Sequence, residues 1–201
     1  MLQTMPTAWR ASVSMEDELT RLRKGDLEAL AGLIEQYQAR LYRYLLRLVH
    51  EPATAEDLFQ QTWMRVAEKI RKYDPKRSFD NWLFTVARNL AFDHMRRYRP
   101  ESLDEPLRSG GSRLELLASD SPGAMEEMLG AERAALVGAA METLPLIFRE
   151  VLSLRFESDM KLEEIAAILQ IPLSTVKSRL RRALEDLRNI LTNQLKQGTT
   201  R

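Results

Sequence analysis

The sequence predicts an all-α chain, with two helical domains joined by a flexible acidic linker. Three observations carry this. Apolar residues recur at three- and four-residue intervals through residues 16–100 and again through residues 129–196. No stretch alternates strictly between apolar and polar residues, so nothing reads as a half-buried strand. Between the two periodic blocks, residues 101–128 lose the period, broken by Pro106, Ser109-Gly110-Gly111-Ser112 and Ser121-Pro122-Gly123.

Residues 1–15, with Pro6, Trp9 and Arg10, hold no sustained period and read as a mobile N-terminal extension. Asp26 stands as an N-cap before Leu27, Leu30, Ile34, Leu41, Leu45 and Leu48, and His50-Glu51-Pro52 ends that helix. Thr54-Ala55-Glu56-Asp57 has the form of a capping box and predicts a helix with the stripe Phe59, Trp63, Val66 and Ile70. Its other face carries Asp57, Gln60, Gln61 and Glu68. A polar connection, Lys72-Tyr73-Asp74-Pro75-Lys76-Arg77, leads to Ser78 as the cap of a helix from Phe79 to about Tyr98. There Phe79, Leu83, Val86, Leu90 and His94 are expected inside, with Trp82, Thr85, Asn89, Phe92 and Arg96 on a neighbouring face. The helix closes in Arg96-Arg97-Tyr98-Arg99-Pro100, a mix that suits a nucleic-acid backbone with exposed bases.

The linker holds seven carboxylates (Glu101, Asp104, Glu105, Glu115, Asp120, Glu126, Glu127) against Arg108 and Arg113. It reads either as a solvated tether or as a strap for a basic groove of a partner. Beyond it the helical pattern resumes at Met128 and runs through Leu136, Ala140 and Leu144, with a joint at Leu144-Pro145, then Phe148, Val151, Leu152 and Leu154.

Lys161 to Leu187 reads as a helix-turn-helix. Leu162, Ile165, Ala166 and Leu169 face inward on the first helix, and Pro172 breaks the run. On the second helix Val176, Leu180, Ala183, Leu184 and Leu187 form the apolar stripe, with Ser174, Ser178, Arg181 and Arg182 opposite. One helix is what a major groove admits. Arginine forks suit guanine edges, and hydroxyls at a helix start suit phosphates. The pattern runs on to about Leu195, and residues 197–201 form a polar tail.

Composition narrows the classes. Thirty Lys+Arg against 29 Asp+Glu leave a net charge of +1, so any basic surface is local. Zero cysteines and two histidines exclude disulfides and argue against a zinc site; no metal or other cofactor is expected. No apolar run approaches a membrane span and the N-terminus lacks the apolar core of a signal peptide, so a cytoplasmic protein without membrane insertion is expected. There is no glycine-rich phosphate loop and no cysteine nucleophile, and His50 and His94 sit in unrelated helices. The chain reads as a non-enzyme.

Leu144-Pro145, Arg149-Glu150-Val151-Leu152, Leu154-Arg155, Glu163-Glu164-Ile165-Ala166 and Ser174 to Leu180 with Arg182-Ala183 resemble region 4 of bacterial extracytoplasmic-function (ECF) sigma factors, group 4 of the sigma-70 family. Gly25-Asp26 with Ala29, Tyr37, the run Asp57 to Trp63, and Phe79-Asp80-Asn81-Trp82-Leu83 followed by Ala87-Arg88-Asn89 resemble region 2 of the same family. The two motif sets stand in the family's order with a linker of fitting length. The resemblance implies an initiation factor that binds core RNA polymerase, recognises −35 and −10 promoter elements and promotes melting. It puts Asp57, Gln60 and Gln61 on the clamp helices of the beta-prime subunit; the position after Gln60 is usually acidic in the family, so one charge contact differs here. The beta subunit and an anti-sigma factor are further partners it implies, and it threads the linker into the RNA exit path.

By the same resemblance, Tyr73 and Asn89 surround a base flipped from the −10 strand, with Arg65 nearby and Arg96, Arg97 and Arg99 on phosphates. Trp82 stands open between a half-buried core residue and a strand-separating wedge. For the −35 element, Ser174, Ser178, Arg181 and Arg182 are assigned to base edges and Thr175, Lys177 and Arg179 to the backbone. Lys161 replaces the family's small hydroxyl cap, leaving Ser158 or Asp159 as substitute caps, and Gln170 and Ser174 stand where glycines are common. Two competing readings are an operator-binding regulator, which requires a ligand or receiver lobe, and a recombinase or nuclease, which requires catalytic residues. The motifs from Asp57 to Trp63 and from Phe79 to Asn89 argue against the first, and no catalytic set supports the second.

Overall fold

The computed structural model describes residues 14–98 and 124–198; the expected N-terminal extension up to residue 13, most of the expected linker, Arg99 and the last three residues lie outside them. Eight α-helices are described: α1 (Met15–Arg23), α2 (Glu28–Val49), α3 (Pro52–Lys69), α4 (Phe79–Tyr98), α5 (Ala124–Glu142), α6 (Leu146–Leu152), α7 (Leu162–Leu169) and α8 (Leu173–Gly198). Two short irregular turns interrupt them, a 3-10 turn at Ile70–Lys72 and a π-helical turn at Ser153–Glu157. Among the described residues there is no strand.

The caps explain where the helices begin. Ser14 accepts from the Asp17 N–H and opens α1. Gly25, at φ 97°, supplies the left-handed turn between α1 and α2. Asp26 then accepts from the Glu28 N–H at 3.0 Å and is held by Arg21 at 2.7 Å. The third helix starts earlier than its sequence predicts. Its cap is Glu51, whose carboxylate accepts from the Ala53 and Thr54 N–H groups, with Pro52 in the first turn where no N–H is missed. The Thr54 hydroxyl and N–H hold the Glu51 carboxyl below its ordinary range. Ser78 caps α4 through the Asn81 N–H at 3.4 Å.

In the N-terminal lobe α1, α2, α3 and α4 surround Leu33, Tyr37, Leu41, Tyr44, Leu45, Leu58, Val66, Leu83 and Phe84. On α4 the buried stripe is Phe79, Leu83, Phe84, Ala87 and Ala91, whereas Val86, Leu90 and His94 are only half-buried. The buried line thus runs through Phe84, Ala87 and Ala91, and the bulkier Val86 and Leu90 flank it. On α3 the centre is likewise Ala55, Leu58, Thr62 and Val66, with Phe59 at the margin. Leu41 is fully buried on α2 and belongs to this cluster. Leu41→Ala is expected to destabilise the chain by about 2–5 kcal/mol, measured by denaturant unfolding, because transfer and cavity terms add.

The C-terminal lobe packs α6 and α7 against α8, with Leu146, Val151, Leu154, Ile165, Ile168, Leu169 and Val176 inside. A satellite cluster of Met141, Leu144, Leu152 and Ala183 ties α5 to α8. Helix α5 begins at Ala124, four residues ahead of the predicted resumption at Met128, and Leu136 on it is exposed. Ile168, not anticipated in the α7 stripe, is buried there. The two lobes touch. The apolar cluster of the N-terminal lobe is continuous with that of α6 to α8.

His50 closes α2 at φ 61°, its N–H donating to Leu46 at 2.8 Å. Burial, then the Arg149 and Arg47 guanidiniums, push its imidazole down to about 4. Because the folded value lies below the ordinary one, neutral His50 contributes stability above about pH 6.5 that is lost as the pH falls toward 4. The His50→Asn variant tolerates the left-handed cap and removes this titration. Between pH 7 and 4 the wild type is expected to lose about 1–2 kcal/mol more than the variant, after discounting for partial exposure. Parallel urea titrations at the two pH values read this difference directly.

Candidate nucleic-acid interface

The turn between α7 and α8 sets the first surface. Glu164 accepts from the Lys161 N–H at 2.8 Å, half of a reciprocal box; a lysine ammonium has no lone pair to supply the other half. Neither Ser158 nor Asp159 caps α7: Ser158 is buried at the end of the π-helical turn and Asp159 sits at φ 52°. Gln170 takes the left-handed conformation at φ 56°, a place where glycine is unstrained, and the Ile171 N–H reaches back to Ala166. Pro172 then offers its carbonyl to the Thr175 and Val176 N–H groups and opens α8.

Burial of Val176 and Ala183 fixes the roll of α8. Ser174, Lys177, Ser178, Arg181 and Arg182 are exposed along its first three turns, while Thr175 and Arg179 are half-buried beside them. Ser178 donates to the Thr175 carbonyl at 2.9 Å, and Arg181 pairs with Glu185 at 2.7 Å. Leu184, expected in the apolar stripe, is exposed, because one residue past Ala183 turns it about 100° from the buried line.

On α3, Asp57, Gln60 and Gln61 are exposed on one face, with Met64, Arg65 and Glu68 continuing it. Arg65 pairs with Glu68 at 3.3 Å and so belongs to this face. Met64, 64% exposed, is the one large apolar side chain on this polar face.

Tyr73 is buried. Its ring lies 5.1 Å from Trp82 and 5.7 Å from Phe79, and its hydroxyl donates to the Arg77 carbonyl at 2.5 Å. It braces the connection before α4, and burial pushes its hydroxyl pKa up. Trp82 is half-buried on this aromatic stack. Asn89, Arg96 and Arg97 are exposed on α4, with Arg96 paired to Asp93 at 2.9 Å. Asn89 and Arg96, seven residues apart, share one side with Thr85 and Trp82.

One group of residues has no assigned role in the sequence reading. Arg149 and Glu150 are fully buried inside the apolar run of α6. Arg149 donates to the Glu142 and Leu144 carbonyls at 3.2 Å, which sutures α6 to the end of α5; burial pulls its pKa down to about 10. Glu150 reaches instead into the other lobe. Arg88 Nε donates to its Oε1 at 2.7 Å and the Tyr44 hydroxyl to the same oxygen at 3.2 Å. Burial pushes the Glu150 carboxyl up against the pull of Arg88. The signal in the sequence is a charged pair interrupting Phe148, Val151 and Leu152.

No helix among the described residues is long and apolar enough to cross a membrane, and they hold no cluster of His, Cys, Asp and Glu suited to a metal ion. Residues 33–101 match Sigma-70 region 2 and residues 140–189 match Sigma-70, region 4. The ECF RNA polymerase sigma-E factor of Salmonella typhimurium is 30% identical over 189 residues, covering 87% of this chain and 96% of its own. The chain belongs to the ECF sigma factors.

Other relatives of this sigma factor include ECF RNA polymerase sigma factor SigW of Bacillus subtilis, 28% identical over 180 residues, covering 88% of this chain and 96% of its own. Among solved structures, the sigma factor RpoE in complex with the anti-sigma factor NepR from Bartonella quintana superposes with a TM-score of 0.60 and 26% identity, covering 86% of this chain and 98% of that one. CnrH in complex with the cytosolic domain of CnrY shares the fold, with a TM-score of 0.63, 22% identity, and coverage of 88% of this sigma factor and 96% of that chain. The family acts in transcription initiation, with core RNA polymerase and promoter DNA as its partners. Helix α8 is the second helix of the region 4 helix-turn-helix.

Proposed function

We propose that this sigma factor directs core RNA polymerase to promoters by reading a −35 duplex with α8 and a melted −10 strand with α4. The observation that carries the reading is the exposed line of Ser174, Lys177, Ser178, Arg181 and Arg182 on the first turns of a helix free to enter a major groove. Arg181 and Arg182 supply forks for base edges, Ser174 and Ser178 hydroxyls, and Lys177 a phosphate contact, with half-buried Thr175 and Arg179 at the flank. The polar face of α3, centred on Asp57, Gln60 and Gln61, docks on polymerase, and Met64 adds apolar contact at its middle.

In region 2, Asn89 offers an amide to the edge of an extruded base while Arg96, Arg97 and Arg99 hold the strand. Tyr73 acts from within, keeping the connection and Trp82 in place. Favourable contacts to unpaired bases exist only after melting, so they pull the duplex toward the open state without a nucleotide triphosphate. The sigma factor contributes no catalytic group; polymerase forms the phosphodiester bonds in the cytoplasm. The solved complex of RpoE with the anti-sigma factor NepR supports an anti-sigma partner for this chain as well.

The test is reconstitution. Purified chain mixed with core polymerase and genomic fragments is expected to yield transcripts from discrete start sites. A chain that does not bind core polymerase sinks the proposal.

A further inference from the structure

We propose that the end of α1 and the connection between α3 and α4 form a phosphate-binding patch that holds the non-template strand downstream of the −10 element. The path of the strand rests on the promoter reading above; the patch itself rests on charge and position.

Two segments far apart in sequence meet here. Gly25, in its left-handed turn, lies so near Arg71 that a Cβ on it would stand 3.6 Å from the guanidinium. Burial, then Asp74, push the Tyr73 hydroxyl pKa up, and Arg23 pulls against them from α1. Residues 21–26 and 71–77 hold seven cations against Asp26 and Asp74, in a chain whose net charge is only +1. Arg21 is taken by Asp26 at 2.7 Å, and Arg77 leans on Asp74 at 3.9 Å. Arg23, Lys24, Arg71, Lys72 and Lys76 are exposed, and none has a side-chain partner among the described residues.

Helix dipoles account for part of this. The end of α1 and the 3-10 turn that finishes α3 each present roughly half a negative charge, which suits one cation between them and not five. Exposed arginines elsewhere are paired, Arg65 with Glu68, Arg96 with Asp93 and Arg181 with Glu185. Surplus like charge gathered on one surface repels itself, and a polyanion relieves the repulsion.

Position decides which polyanion. Tyr73 packs at 5.1 Å on Trp82, so the connection borders the side of α4 that carries Asn89. Arg96 lies at the other end of that helix, about 21 Å from Trp82 at 1.5 Å per residue. That end leads into the linker and region 4, which the promoter reading seats on the −35 element, and so it faces upstream. The start of α4, with the connection and α1 beyond it, faces downstream. A strand leaving Asn89 in that direction passes onto the patch. Helix α1 lies outside residues 33–101, the part of the chain that matches region 2. Flexible cations on an open surface hold phosphates as charges and read no bases.

The test uses holoenzyme reconstituted from the full chain and a promoter mapped in the reconstitution above. The promoter is built as a fork whose single non-template strand either stops at the −10 element or runs about six nucleotides further. Wild-type holoenzyme is expected to bind the longer fork about 10- to 100-fold more tightly at ~0.1 M salt. Arg23→Gln, Arg71→Gln and Lys72→Gln together are expected to erase that gain and to flatten the salt slope on the longer fork by about 2, at roughly 0.7 per lost phosphate contact. On the short fork the triple variant is expected to match wild type, which a damaged lobe does not do. Thymines throughout the extension keep the gain, and neutral methylphosphonates abolish it. An equal gain in wild type and variant overturns the patch, as does a gain that survives methylphosphonates. Loss of core polymerase affinity in the variant also overturns it and assigns the surface to polymerase. Wild-type holoenzyme that ignores the short fork sinks the promoter reading instead. Binding of oligo(dT) by the free full chain then judges the patch: tenfold weaker binding by the variant sustains it, and equal binding overturns it.

Discussion

Replacing Asp57 and Gln60 together with alanine is expected to weaken binding to core polymerase by about 100- to 1000-fold, since central interface residues each contribute on the order of 2 kcal/mol when truncated. Both side chains are exposed on α3 and none of the buried stripe of Ala55, Leu58, Thr62 and Val66 changes, so thermal stability should stay within about 0.5 kcal/mol of wild type. Promoter-specific transcription falls with the loss of binding and returns in part at high protein concentration. A titration of labelled protein against core polymerase measures it. Unchanged affinity would remove α3 from the interface.

Alanine at both Arg181 and Arg182 is expected to act on the other surface. Loss of a fork to a base edge costs roughly 1–3 kcal/mol, so the pair should lower −35-dependent initiation by about 100-fold or more while core binding stays intact. The Arg181–Glu185 contact is exposed at both ends, and breaking it costs the helix little. Transcription from promoters with and without a −35 element, at saturating protein, separates the two effects. Equal loss on both templates would place the reader elsewhere.

The placement of most candidate residues was legible because they lie on exposed helix faces, where spacing alone decides who stands together. Asp57, Gln60 and Gln61 share the face that their three- and four-residue spacing predicts, and the same is true of Ser174, Ser178, Arg181 and Arg182. Errors fell where packing chose between adjacent residues. Helix α4 turned Phe84, Ala87 and Ala91 inward in place of Val86, Leu90 and His94, because close approach of neighbouring helices favours small residues that a hydrophobic stripe undervalues. Leu184 was misplaced for the related reason that an isolated helix gives its stripe no definite edge. The Glu51 cap was missed because a carboxylate before Pro52 serves as well as the Thr54 box that the sequence offered.

By itself the sequence determined the class, two helical lobes with a helix-turn-helix on the second, since periodicity, caps and proline breaks are local and need no partner to act. Tertiary structure decided what became of the buried charges. Nothing in the spacing of Tyr44, Arg88 and Glu150, 106 and 62 residues apart across the pair of bonds, announces that they meet. A carboxylate leaves water only where other elements bring donors to it, and that depends on how the lobes are docked, a property of the whole fold rather than of any stretch of chain.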